Sequence, residues 1–167
     1  MFIFDTSTLI LTAKIELLDL FLKEIGMKVA IPRAVEEECG GGKKTLDALM
    51  IQKAVGESRI MVKTVKNRKL VKKLEEDFSM AGGESEAIAL ALQERALLVG
   101  IDDRQGINAC KLLGIPFTTA VAILSRSCEK GFIERSDALN RLAALAKYGR
   151  YRSSILADAK RQLEEEP

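Results

Sequence analysis

The chain contains no histidine and no tryptophan, and its 167 residues include only three cysteines. Without histidine, Ser-His-Asp triads, Cys-His pairs and imidazole general bases are excluded. Zinc is poorly served, because cysteine and histidine are its usual ligands and the cysteines form no CxxC pair. An aromatic content of 5% also argues against base-stacking platforms for nucleic acid.

Long apolar runs are absent as well. The opening apolar run covers only residues 1–4 before Asp5, and no basic segment precedes it. We therefore expect no targeting segment, no membrane partner and a cytoplasmic location, in which the cysteines are reduced and mostly buried. The net charge of +2 does not by itself indicate a nucleic-acid-binding protein.

Short apolar runs alternate with helical patterns along most of the chain. The runs predict strands at Met1–Phe4, Val29–Ile31, Ile60–Val62, Leu97–Ile101 and Phe117–Thr119. Strands that alternate with helices favour a three-layer α/β/α domain with a short, mostly parallel sheet. Two late helices, Ser136–Lys147 and Ser153–Glu165, follow this core.

Carboxylates stand at the strand ends and helix ends where such a fold would gather them. These acids are Asp5, Glu38, Glu84, Glu86, Asp102 and Asp103. In α/β domains these positions point into the crevice that binds ligands. Several carboxylates together, in a chain without histidine, indicate a hard-cation site with oxygen ligands.

Four stretches that carry these acids resemble the PIN-domain ribonucleases, which include the VapC-type toxins. The stretches are Phe4–Ile10, Ile31–Glu38, Gly83–Ala91 and Leu98–Arg104. The resemblance predicts a PIN-like nuclease domain over residues 1–125 and a helical C-terminal extension over 126–167, packed on the same domain. The extension is similar to that of a PIN branch with Gly-Phe-Ile and Gly-Arg-Tyr-like turns between its late helices.

The resemblance implies a Mg²⁺- or Mn²⁺-dependent endoribonuclease. Asp5, Glu38, Glu84 and Asp102 match its catalytic, metal-binding acids, and Asp103 is expected to contribute to the metal site. Ser7 matches the hydroxyl residue that supports the first acid. Glu86 is a near alternative to Glu84 or its helper, and Glu36 and Glu37 are solvated rivals of Glu38. In this chemistry a metal-activated water attacks a backbone phosphate.

Binding of RNA should rely on cations near the acids, since phosphates dominate such affinity. The candidates are Arg33, Lys43, Lys44 and Arg104, with the basic stretch Lys63–Lys73 as a further one. If the chain is the toxin of a toxin–antitoxin pair, an antitoxin protein is its expected partner. The resemblance also favours a homodimer.

Other readings of the same residues differ in class. A catalytically weak PIN scaffold that binds RNA or protein is the main alternative, and Glu84, where the family often has Asp, favours altered chemistry. A phosphoacceptor receiver would need its acid pair after the first strand, whereas Asp102 and Asp103 come late. A haloacid-dehalogenase phosphatase would need a second Asp at position 7, where Ser7 stands.

Overall fold

A computed structural model describes residues 1–40, Gly42 and residues 44–165 of the chain. Its sheet has five parallel strands in the order β3-β2-β1-β4-β5. The strands are β1 (Phe2–Phe4), β2 (Val29–Pro32), β3 (Ile60–Lys63), β4 (Leu98–Gly100) and β5 (Phe117–Thr118). Each strand lies within one residue of a predicted apolar run at both ends. The sheet, which we expected to be mostly parallel, is entirely parallel.

Helices fill the connections. Before β4 they are α1 (Thr6–Lys14), α2 (Leu18–Glu24), α3 (Arg33–Gly40), α4 (Leu46–Gly56), α5 (Arg68–Phe78) and α6 (Gly82–Glu94). After β4 they are α7 (Arg104–Leu113), α8 (Ala120–Glu129), α9 (Arg135–Tyr148) and α10 (Ser153–Glu165). Among the residues described, no helix is long and apolar enough to span a membrane.

The two faces of the sheet are buried in separate hydrophobic cores. Side chains alternate along β1, so that Phe2 and Phe4 pack on one face and Ile3 on the other. The first face is covered by helices that include α1, α4, α8 and α9, and the second by α5, α6 and α7. The predicted three-layer α/β/α fold is therefore confirmed.

The late helices pack on the core of the sheet. Ala138, Leu142 and Leu145 of α9 lie in the same buried cluster as the phenylalanines of β1. Ala159 and Leu163 of α10 belong to that cluster too. Helix α8 runs through position 125, and the division of the chain at that point stays a prediction.

The first helix begins directly after the first acid. Helix α1 starts at Thr6, and its N-cap is Asp5. The Asp5 carboxylate accepts the Thr8 amide, because a short acidic side chain at the end of a strand reaches the free amides of the first helical turn. The first acid is thus tied to α1.

Candidate active site

The acids lie at the carboxyl edge of the parallel sheet. Asp5 follows β1 and Asp102 follows β4 after a single intervening residue. These two strands are neighbours at the centre, with β2 and β3 on one side and β5 on the other. The order of the chain therefore reverses between β1 and β4, which is where open α/β sheets bind ligands.

Asp5 is fully buried, and hydrogen bonds hold both its carboxylate and its backbone. Its carboxylate accepts the Ser7 hydroxyl at 2.7 Å and the Thr8 amide at 2.7 Å, and its own amide donates to the Gly100 carbonyl at 2.9 Å. Burial raises the pKa of Asp5 from 3.8 to about 7, and the charge of Asp102 adds to the rise, against the lowering by Thr8 and Ser7. Asp5 and Asp102 thus share one negatively charged crevice.

Asp102 receives a donor on each carboxylate oxygen. The Ala120 amide donates to Oδ2 at 2.9 Å, and the Tyr151 hydroxyl donates to Oδ1 at 2.5 Å. Burial raises the pKa of Asp102, although these two hydrogen bonds lower it in part. The amide comes from the start of α8 and the hydroxyl from the loop before α10, so the C-terminal region fixes this acid.

The Thr8 hydroxyl lies near both carboxylates. It lowers the pKa of Asp5 and of Asp102, yet within the described part of the chain Thr8 Oγ1 is buried with no hydrogen bond of regular geometry. A buried polar atom without a regular partner is costly unless water or an ion satisfies it. This hydroxyl therefore indicates a polar site between the two acids.

Glu38 reaches the site from the end of α3. Its Oε1 accepts the Gly83 amide at 3.0 Å, and its Oε2 accepts the Thr6 hydroxyl. A Cβ at position 83 would lie 2.6 Å from Glu38 Oε2, so only glycine leaves room for this carboxylate at the start of α6. Thr6 directly follows Asp5, and the second acid is thereby tied to the first.

Glu84 completes the group from the first turn of α6. Partial burial raises its pKa from 4.5 to about 7, and the charges of Asp103 and Glu38 add to the rise. Asp103 is the N-cap of α7, where its Oδ2 accepts the Gln105 amide at 2.6 Å. These two acids therefore extend the negatively charged region from Glu38 towards the end of β4.

Glu86 is bound elsewhere, although it is close in sequence. Its buried carboxylate pairs with the Arg68 guanidinium and accepts the Ala34 amide at 3.4 Å. It thus links α6 to the starts of α5 and α3. Arg68 already compensates the charge of Glu86, so Glu84 fits the role of third acid better.

The predicted RNA-binding cations differ in their surroundings. Arg33 is exposed and pairs with Glu36 at 3.5 Å. Lys44 and Arg104 are exposed, and neither has an ion pair within the described residues. Arg104 is the first residue of α7, directly beside Asp103. Lys43 lies outside the described residues.

Thr6, Thr8 and Tyr151 contact the acids but were not predicted as site residues. Arg68 was predicted only as part of the basic RNA-binding stretch Lys63–Lys73, and not as the partner of Glu86. The threonines stand beside Asp5 in the Asp-Thr-Ser-Thr stretch, and that polar cluster after a buried strand was a readable signal. Arg68 and Tyr151 are 18 and 49 residues from the acids they contact. No spacing rule connects residues so far apart in sequence.

The donor set fits a hard cation. All the gathered donors are carboxylate or hydroxyl oxygens, and burial raises the pKa values of Asp5, Glu84 and Asp102. Within residues 1–40, 42 and 44–165, no three acidic or cysteine side chains are grouped closely enough to surround a metal ion. Mg²⁺ keeps several of its waters and needs only one or two carboxylates, so the separated pairs of acids are compatible with it.

Comparison with known proteins identifies the family. A family model described as PIN domain matches residues 1–165, nearly the whole chain. No curated protein and no solved structure shows a significant match. The resemblance of the four acidic stretches and the parallel α/β/α fold agree with the family match. The chain belongs to the PIN-domain family.

Proposed function

We propose that the protein is a Mg²⁺- or Mn²⁺-dependent endoribonuclease. The chain is a PIN domain. PIN domains are generally nucleases and typically use divalent metals. The observation that carries the proposal is the convergence of Asp5, Glu38, Glu84 and Asp102, from four separate elements, at one edge of the sheet. Burial and repulsion by neighbouring acids disfavour the charged forms of Asp5 and Glu84, which a cation would stabilise.

The four acids, with Asp103 through water, would hold the metal. A divalent ion there would supply an acidified water and would stabilise charge on the phosphoryl group. The protein's own groups set the geometry: Ser7 and Thr8 fix Asp5, and Gly83 and Thr6 fix Glu38. Partial burial raises the pKa of Glu84 in the metal-free protein, and a bound cation would favour its charged form, which would orient the attacking water.

RNA would be held through its phosphates. Arg104 and Lys44 are exposed and have no acidic partner among the described residues, so they are available to neutralise phosphate charge. Arg33 would first have to leave Glu36. Aromatic residues make up only 5% of the chain, with six phenylalanines, two tyrosines and no tryptophan. This low content favours contacts to the RNA backbone over base stacking.

A catalytically weak PIN scaffold that binds RNA or protein is the second candidate. It is supported by Glu84 in place of the family's frequent Asp, and by the lack of a three-donor group among the residues described. This candidate predicts RNA binding without turnover. Further proposals are the toxin role, an antitoxin partner, a homodimer and a cytoplasmic location. Co-purification tests the antitoxin partner, and light scattering tests the homodimer.

The deciding experiment is cleavage of labelled single-stranded and structured RNAs with Mg²⁺, with Mn²⁺ or with EDTA. We expect metal-dependent cutting that Asp5→Asn and Asp102→Asn abolish. Asp77→Asn, which removes an exposed surface charge, is the matched control and should cut normally. Cutting that the two site variants retain would indicate a contaminant, and RNA binding without cutting would support the scaffold.

A further inference from the structure

The loop between α9 and α10, residues 149–152, reaches into the acidic site from the far end of the chain. Its Tyr151 hydroxyl donates to Asp102 Oδ1, while the Ala120 amide holds Oδ2. Each carboxylate oxygen offers about two acceptor positions, so these two donors, even with the nearby Thr8 hydroxyl, leave part of the carboxylate open. Asp102 is thus fixed in orientation without being saturated.

The loop is shaped around the tyrosine ring. Gly149 ends α9, and a Cβ at that position would lie 2.8 Å from Tyr151 Cδ2, inside van der Waals contact. The Gly149 amide donates to the Leu145 carbonyl at 2.8 Å, which anchors the loop to α9. The buried residues Ala159 and Leu163 of α10 then hold its other side against the core. Both helices therefore support the position of the Tyr151 hydroxyl.

We propose that Tyr151 is a positioning residue of the active site, which fixes the orientation of the Asp102 carboxylate near Asp5. This inference rests on the proposed metal-dependent function. Groups that donate to metal-binding carboxylates fix their orientation, and their loss typically weakens metal affinity or activity by about 10–100-fold. The late helices would then complete the active site, because the loop between them supplies the Tyr151 hydroxyl to Asp102.

Tyr151→Phe tests the inference, because it removes the hydroxyl and keeps the ring. The chain supplies a matched control in its other tyrosine, Tyr148, which is half-exposed and lies beside Lys14 with 4.9 Å between Nζ and the ring centroid. Mn²⁺ affinity is measured by titration with the free-ion electron paramagnetic resonance signal. We expect a Kd for Mn²⁺ about tenfold weaker in Tyr151→Phe and unchanged in Tyr148→Phe.

Cleavage kinetics provide the second readout. Tyr151→Phe should lower kcat with little change in KM for RNA, because the hydroxyl contacts an acid and not the substrate backbone. Gly149→Ala keeps the hydroxyl but displaces the ring, and it should weaken Mn²⁺ binding in the same direction. It is the decisive variant if Tyr151→Phe fails to fold, as judged by circular dichroism.

The outcomes separate the inference from the proposed function. An unchanged Mn²⁺ Kd and kcat in Tyr151→Phe, with a lower Tm, would show that the tyrosine merely tethers α10, and the nuclease proposal would stand. Wild-type protein that neither binds Mn²⁺ nor cuts RNA would overturn both. Equal losses in Tyr148→Phe and Tyr151→Phe would also refute a specific role for Tyr151.

Discussion

The buried charge of Asp5 should destabilise the metal-free protein at neutral pH, and Asp5→Asn should raise the free energy of unfolding by removing that charge. The unfolded carboxyl releases its proton above pH 3.8, whereas the folded one retains it to about pH 7. In this window the folded state binds more protons, so its stability falls as the pH rises. Each pKa unit corresponds to about 1.4 kcal/mol, and the two units between pH 5 and pH 7 give roughly 2–3 kcal/mol.

Asparagine fits the same site. Its carbonyl can accept the Thr8 amide, and its amide can donate to the Ser7 hydroxyl, which is able to accept as well as donate. The stability gain of Asp5→Asn over wild type should therefore grow by roughly 2–3 kcal/mol between pH 5 and pH 8. For a chain of this size that is roughly 5–10 °C in Tm.

The assay is urea and thermal unfolding, followed by circular dichroism at pH 5 and pH 8 with EDTA present. Asp77→Asn removes one exposed carboxylate, and its stability relative to wild type should hardly change between the two pH values. A gain for Asp5→Asn that is equal at both pH values, or that shrinks at pH 8, would refute the argument that burial holds the proton on Asp5.

Two further predictions concern contacts that assemble the site. Gly83→Ala should displace Glu38, abolish cleavage and lower the free energy of unfolding by about 1–3 kcal/mol. Gly82→Ala is the control and should have none of these effects, because the atom nearest to its added Cβ, Glu75 Oε1, would be 3.9 Å away. Equal activity in the two variants would contradict the close approach of Glu38 to Gly83. Arg68→Met should lower the free energy of unfolding by about 1 kcal/mol, because it leaves the buried Glu86 without its cation. Adding Glu86→Gln should restore part of that loss in denaturant titrations, and no recovery would argue against the ion pair.

The fold was readable from the sequence because its signals are local. Short apolar runs such as Val29–Ile31 predict buried strands, and each is followed by a helical pattern. Parallel strands joined by helices place the following residue at a common edge. The positions of Asp5 and Asp102 at one edge therefore followed from the order of elements, and the family match agrees with that reading.

Tertiary structure separated residues that look equivalent in sequence. Glu84 and Glu86 stand two positions apart on α6, yet one turns towards Glu38 and Asp103 while the other is neutralised by Arg68. The helical rotation of about 100° per residue sends them in different directions. The packing of α6 against α3 and α5 decides which of the two carboxylates faces the other acids.

The sequence by itself determined the alternation of strands and helices, the oxygen-only chemistry and the places of the acids, because each depends on residue type and local order. Only the tertiary structure decided which carboxylates are buried against one another, that Thr8 lies between two of them, and that Tyr151 reaches Asp102 from 49 residues away. Those contacts arise from the packing of distant helices, and no local pattern encodes them.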